Sequence, residues 1–180
     1  MENEAPRDGS WAVRSQELQV RAFDSEAGAQ LLMRLWGADR FIAALSAEEL
    51  DRMSGYLHFV RLAADKEVIA QNELGDFMLI VLEGTVLVDR VQPQGGRARL
   101  AEVHAGDVLG EMSVLDSGLR FSTCNTLSEC TVAVVDVKRL DDMMQLEPRI
   151  GLALMASLSR RLSLRLRQVS SRLSALLSGR

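Results

Sequence analysis

Residues 106–123 of this 180-residue chain read GDVLGEMSVLDSGLRFST, and they constrain the fold more than any other stretch. Two glycines bracket Asp107-Val108-Leu109. Glu111 then opens a short helix, and a lone arginine, Arg120, follows nine residues later just before a strand. Backbone N–H groups at a helix start attract an anion. An arginine presents a rigid fork to phosphate oxygens, and a carboxylate accepts hydrogen bonds from a sugar hydroxyl. Together they describe a small pocket for one phosphate and one sugar. The plainer reading makes the glycines turns and Glu111 an acid favoured by the helix dipole. Arg120 would then pair with Glu111 or Asp116, at the desolvation cost of a buried ion pair. A bound phosphate would satisfy the fork instead. On β-propensity alone Ser122 and Thr123 suit a strand better than a ligand.

The surrounding pattern divides the chain. Residues 1–15 are polar, contain Pro6 and Gly9, and are expected to be disordered. Residues 16–57 are expected to form N-terminal helices. A first apolar run, from Leu18 to Trp36, is broken by Gly37, and Ser46-Ala47-Glu48-Glu49 is a capping box that starts a second helix at about 47. Residues 58–137 change character to short Val/Ile/Leu runs between turn residues. Eight strands are expected, at 59–64, 67–71, 77–82, 85–91, 98–104, 107–109, 121–126 and 130–137, with a hairpin tip at Gln94-Gly95-Gly96-Arg97. Eight short strands at this spacing predict a jelly roll, mainly β with flanking helices, interrupted by the short helix at 111–116.

Residues 138–180 are expected to be helical. Lys138–Gln145 reads as a short helix, and Pro148 suits the first turn of a long one reaching about residue 178. Along it Met155, Leu158, Leu162, Leu166, Val169, Leu173 and Leu176 recur at steps of three and four, a heptad-like seam. A helix of about 45 Å overhangs a domain of this size, so a homodimer through that seam is expected.

The arginine-bearing stretch resembles the phosphate-binding cassette of the cyclic nucleotide-binding domain family, the type found in catabolite activator protein and protein kinase A regulatory subunits. Gly110-Glu111-Met112-Ser113 matches the first half of the family pattern, and Arg120 with Ser122-Thr123 matches the second. Phe121 departs from it, since the family has Ala, Ser or Thr there. Glu67-Val68-Ile69, Gln71-Asn72-Glu73, Gly75-Asp76 and Ile80-Val81-Leu82-Glu83-Gly84 extend the likeness, which covers roughly residues 40–170. Asn72 stands where the family often has glycine, and Asn tolerates the left-handed conformation.

The resemblance implies an eight-stranded β-roll closed by the C-terminal helix, and a ligand-sensing function. A cyclic nucleotide (cAMP or cGMP) would be held by Gly110, Glu111, Met112, Ser113, Arg120, Phe121 and Ser122, with Glu111 on the ribose and Arg120 on the phosphate. Ser157, Arg160, Arg161 and Ser163 are candidates for helix residues facing the pocket. Ligand occupancy would be coupled to the helix and to a protein partner. Two alternatives stay open: a cyclic dinucleotide such as c-di-GMP stacked on Phe121, and a ligand-free adaptor. Phe121 itself either enters the barrel core or lies against the ligand.

Bulk properties bound the rest. Apolar residues make up 47% of the chain, as in a globular domain. The longest uncharged apolar stretch, 150–159, is too short to span a bilayer, and the acidic start lacks a signal-peptide core, so a cytoplasmic protein is expected. Cys124 and Cys130 lie in strand-like runs and are expected buried and reduced, while His58 and His104 are too few for a metal site. No nucleophile–base set, Walker lysine loop or H-E-x-x-H helix is visible, so no enzyme is expected. From Arg149 onward there are seven arginines and no acid, which leaves −11 on residues 1–148 for a total of −4. Such a tail is either a solvated face or a surface for an anionic partner. A helix-turn-helix would have to follow residue 180, so no sequence-specific DNA contact is expected.

Overall fold

The computed structural model describes residues 7–178. It contains, in chain order, α1 (Trp11–Glu17), β1 (Arg21–Ala22), α2 (Ser25–Trp36), α3 (Ala47–Gly55), β2 (His58–Leu62), β3 (Glu67–Ile69), β4 (Phe77–Glu83), β5 (Val86–Val91), β6 (Arg97–Val103), β7 (Val108–Leu109), α4 (Glu111–Asp116), β8 (Thr123–Thr126), β9 (Cys130–Asp136), α5 (Val137–Leu146) and α6 (Pro148–Ser178). The strands form two sheets that face each other, one ordered β1-β2-β9-β4-β7 and the other β3-β8-β5-β6. This is the expected jelly roll.

Strand β4 explains why the roll has two cores. Side chains alternate across a strand, and β4 is buried on both sides. Phe77, Leu79 and Val81 point into the space between the sheets, with Val68, Val88 and Val132. Met78, Ile80 and Leu82 point outward, where α2, α5 and α6 cover them with Trp36, Met143 and Leu154. A strand covered on both faces must be an uninterrupted apolar run, which is how residues 77–82 read.

Several helix ends obey their sequence signals. Ser46 and Glu49 form the reciprocal capping box, Pro148 opens α6, and Asn72 takes a positive φ of 68°. Three expectations change. Residues 1–6 lie outside the described residues, but 11–15 are helical rather than frayed, because Trp11 is buried against Phe77 at a ring separation of 5.1 Å. A ninth strand, β1, appears inside the segment expected to be helical, where Arg21 and Ala22 pair with Arg61 and Val60. The strand expected from 121 starts at Thr123. Arg120 is tied by its backbone to the 72–73 turn (Asn72 N–H to Arg120 O and Arg120 N–H to Glu73 O, both 2.9 Å), which turns Phe121 out of the sheet.

The head of the expected seam also changes. Leu158 is 1% exposed in the domain's own core, and Met155 packs against that core. Leu162 is half-buried, whereas Leu166, Val169, Leu173 and Leu176 are exposed. Among the described residues no helix is long and apolar enough to cross a membrane. Truncating a core leucine removes buried area and leaves a cavity, so Leu158→Ala should lower stability by about 2–5 kcal/mol in urea denaturation. A loss below 1 kcal/mol would mean that α6 is not docked at this point.

Candidate functional site

Arg120 is the most buried charge of the cassette, at 2% exposed. Its Nη1 donates to the Gly110 carbonyl at 2.8 Å and its Nη2 to the Phe77 carbonyl at 2.7 Å. The guanidinium lies over the Phe77 ring, 4.6 Å from the centroid. Two glycines make the slot. A Cβ on Gly75 would lie 2.0 Å from Arg120 Nε, and one on Gly110 would lie 2.7 Å from Nη1. Gly110 also adopts φ 77°, the left-handed turn through which the chain enters α4. Burial lowers the Arg120 pKa. Its Nε has no partner among the described residues.

Glu111, at the first position of α4, is 4% exposed. Its Oε1 accepts from Arg165 Nη1 at 2.9 Å, and the second nitrogen of Arg165 donates to Val108 O at 3.2 Å. Burial raises the Glu111 pKa, and Arg165 opposes that rise. One turn earlier on α6, Arg161 donates to Gly106 O at 2.8 Å and stacks on Trp36 at 4.0 Å. Trp36 Nε1 donates to the same carbonyl at 2.9 Å. Cassette, α2 and α6 therefore meet at the Gly106–Glu111 segment. A cavity of about 200 Å³ opens there between Glu111, Leu158, Leu162 and Arg165. A larger cleft of about 540 Å³ lies between Gln71, Asn72, Arg90, Pro93 and Thr123. Its lining contains neither Glu111 nor Arg120, and Arg120 lines neither of these two cavities.

The remaining candidates divide by exposure. Ser113 is buried, Ser122 half-buried and Met112 exposed. Glu111 and Arg120 are both buried but do not pair, and Asp116 accepts from Gly118 N–H instead. Phe121 is 49% exposed, with the Arg90 guanidinium stacked 3.8 Å from its centroid, so it is not a core residue. Of the helix candidates, Ser157 is buried, Ser163 is exposed, Arg160 reaches Asp39 at 3.4 Å, and Arg161 reaches the cassette turn. Arg165 was not among them. It lies one turn beyond Arg161 on the same helix face, a spacing that could have pointed to it. Both cysteines are free and buried, and burial pushes the Cys124 thiol up to about 12.

Residues 59–147 match the family model of the cyclic nucleotide-binding domain. The chain belongs to this family. The chain is 33% identical over 95 residues to a CRP-like cAMP-activated global transcriptional regulator of Mycobacterium tuberculosis, across 53% of this chain and 42% of that protein. It is 28% identical over 123 residues to the cAMP-activated global transcriptional regulator CRP of Haemophilus influenzae, across 68% of this chain and 55% of that protein. The chain thus spans about half the length of the curated relatives it matches. Its fold overlays a cyclic nucleotide-binding domain from Methylobacillus flagellatus with a TM-score of 0.79 at 23% identity, covering 85% of this chain and 86% of that one.

Phe121 departs from the pattern of this family, and its exposure gives a clear expectation. Phe121→Ala should change thermal stability by no more than about 0.5 kcal/mol, the usual range for surface positions. A loss of about 3–5 kcal/mol, typical of a core phenylalanine, would contradict the placement under Arg90.

Proposed function

We propose that this regulatory domain is a cyclic nucleotide sensor whose occupancy is read out by α6. Arg120 takes the cyclic phosphate together with backbone N–H groups of Gly110, Met112 and Ser113. Glu111 takes a ribose hydroxyl, and Phe121 and Ser122 border the ligand at the end of the cassette. The observation that carries this reading is the Arg165–Glu111 ion pair, 2.9 Å between a buried cassette carboxylate and the last helix. A ribose hydroxyl and Arg165 compete for the same oxygens. By linkage, a ligand that displaces Arg165 loosens α6, and removing Arg165 tightens ligand binding by the same coupling factor.

Calorimetry with cAMP, cGMP and a cyclic dinucleotide tests this. One of the mononucleotides should bind. Arg120→Ala should weaken it by about tenfold to a few hundredfold, as loss of charge-assisted hydrogen bonds predicts. Arg165→Ala should tighten it by about fivefold or more and abolish ligand-dependent hydrogen exchange in α6. Binding of the dinucleotide alone would move the ligand class, and binding of none would favour an adaptor. Unchanged affinity in Arg165→Ala would remove the coupling.

A second copy of the chain is proposed to cover the exposed part of α6. Leu166, Val169, Leu173 and Leu176 lie on one face, and all are exposed. Wild-type protein at tens of micromolar, a rough scale for a weak dimer, should sediment as a dimer, and Leu166→Glu with Leu173→Glu as a monomer. A monomeric wild type would overturn the pairing.

A further inference from the structure

Arg120 is a buried cation whose side chain makes no ion pair among the described residues, although Glu73 and Asp76 are near enough to oppose the lowering of its pKa by burial. Among the described residues its hydrogen bonds go to two backbone carbonyls, and its Nε has no partner. A buried charge without a paired counter-charge is costly. A carboxylate that could relieve it sits close by. Glu73 is 2% exposed, and its backbone carbonyl accepts from the Arg120 N–H at 2.9 Å. Yet both Glu73 oxygens are already engaged. Oε1 accepts from the Ala70 N–H at 2.9 Å, and Oε2 is held by Arg14 Nη2.

Arg14 stands on α1, and α1 is fastened over this region at several points. Gly9 N–H donates to Leu74 O at 2.7 Å, Trp11 N–H donates to Asp76 Oδ1 at 2.7 Å, and the Trp11 ring packs on Phe77, the ring that also carries Arg120. The arrangement is therefore rigid at the point where Arg14 meets Glu73. Burial raises the Glu73 pKa, while Arg14 and Arg120 both pull it down, so the two cations draw on one carboxylate.

We propose that Arg14 is a positioning residue for the anion site: by holding Glu73 it keeps that carboxylate off Arg120, and the guanidinium charge stays available to the ligand's phosphate. This inference rests on the cyclic nucleotide reading above. It gives the N-terminal helix a role in affinity, although α1 contributes no group to the ligand itself. Without Arg14, Glu73 keeps one oxygen free in a buried setting, and Arg120 is the cation beside it. An internal Glu73–Arg120 pair would then compete with the phosphate.

The test is a double-substitution cycle with cAMP and cGMP as probes, read by calorimetry and by melting temperature. Arg14→Gln should weaken binding by about tenfold or more, the scale of a lost charge-assisted contact. Glu73→Gln alone should not weaken it. The double variant Arg14→Gln/Glu73→Gln should return to within about twofold of wild type, since the competing carboxylate is gone. Arg14→Lys, which can still pair with Glu73, should stay near wild type. A merely structural role for Arg14 would leave the double variant as weak as Arg14→Gln or weaker. That outcome would overturn the proposal, as would wild-type or tighter binding by Arg14→Gln. Wild-type protein that binds neither nucleotide would overturn the ligand reading and this inference together; wild-type binding with Arg14→Gln unaffected would overturn this inference alone.

Discussion

The Arg120 guanidinium, buried and fixed between the carbonyls of Gly110 and Phe77, organises the structure around it. It explains why residues 75 and 110 must lack a Cβ, since either would collide with the side chain. It fixes how the chain enters α4, because the carbonyl that receives Nη1 belongs to the left-handed residue before the helix. It also links β4 to the cassette, 43 residues apart in sequence, through the Phe77 carbonyl. The helix α1, whose Trp11 shares the Phe77 ring, packs against the same assembly.

The excess of arginines in α6 has a comparable internal use. Arg149 pairs with Glu49 and reaches Ala44 O, Arg160 reaches Asp39, Arg161 reaches Gly106 O, and Arg165 pairs with Glu111. Over this half the basic helix is therefore more than a plain solvated face: its arginines reach acids and carbonyls of the domain body. Its charge lies against the acidic body of the domain. Exposed ion pairs contribute little each, about 0–1 kcal/mol. The pairs at Glu49, Asp39 and Glu111 differ, because their carboxylates are buried and each would lose its cation if the helix moved.

What was legible in the sequence follows from periodicity and short-range chemistry. Most of the strands, the capping box at Ser46, the start of α6 at Pro148 and the left-handed Asn72 each depend on a few neighbouring residues, and they stand close to where they were read, β1 and the start of β8 excepted. The errors involve long-range contacts. Nothing local to residues 11–15 says that Trp11 will find Phe77, 66 positions away. The strand expected from 121 starts at Thr123, because Arg120 is tied to the 72–73 turn by contacts that no local pattern announces. Met155 and Leu158 share the period of the exposed leucines beyond them, so periodicity alone could not separate the docked half of α6 from the overhang. At the site, Glu111 and Arg120 were legible as a pattern, but their partners, Arg165 and the two carbonyls, were not.

Those partners differ in what a ligand would do to them. Arginine carries five N–H donors, and Arg120 gives one to each of two carbonyls, so three remain. On the proposed reading a phosphate would take those donors while the carbonyl bonds persist, and a fork already oriented lowers the ordering cost of binding. Glu111 is different. Its engaged oxygen faces a cation on a helix that leaves the domain surface, and a ribose hydroxyl must share or take that place. In the sensor proposed above, the arginine end of the cassette is the preorganised one, and the glutamate end is where binding free energy would be exchanged for movement of α6. A switch built this way depends on how much better Glu111 is satisfied by Arg165 than by the ligand. That difference lies in one side-chain contact, and the roll beneath it need not change shape.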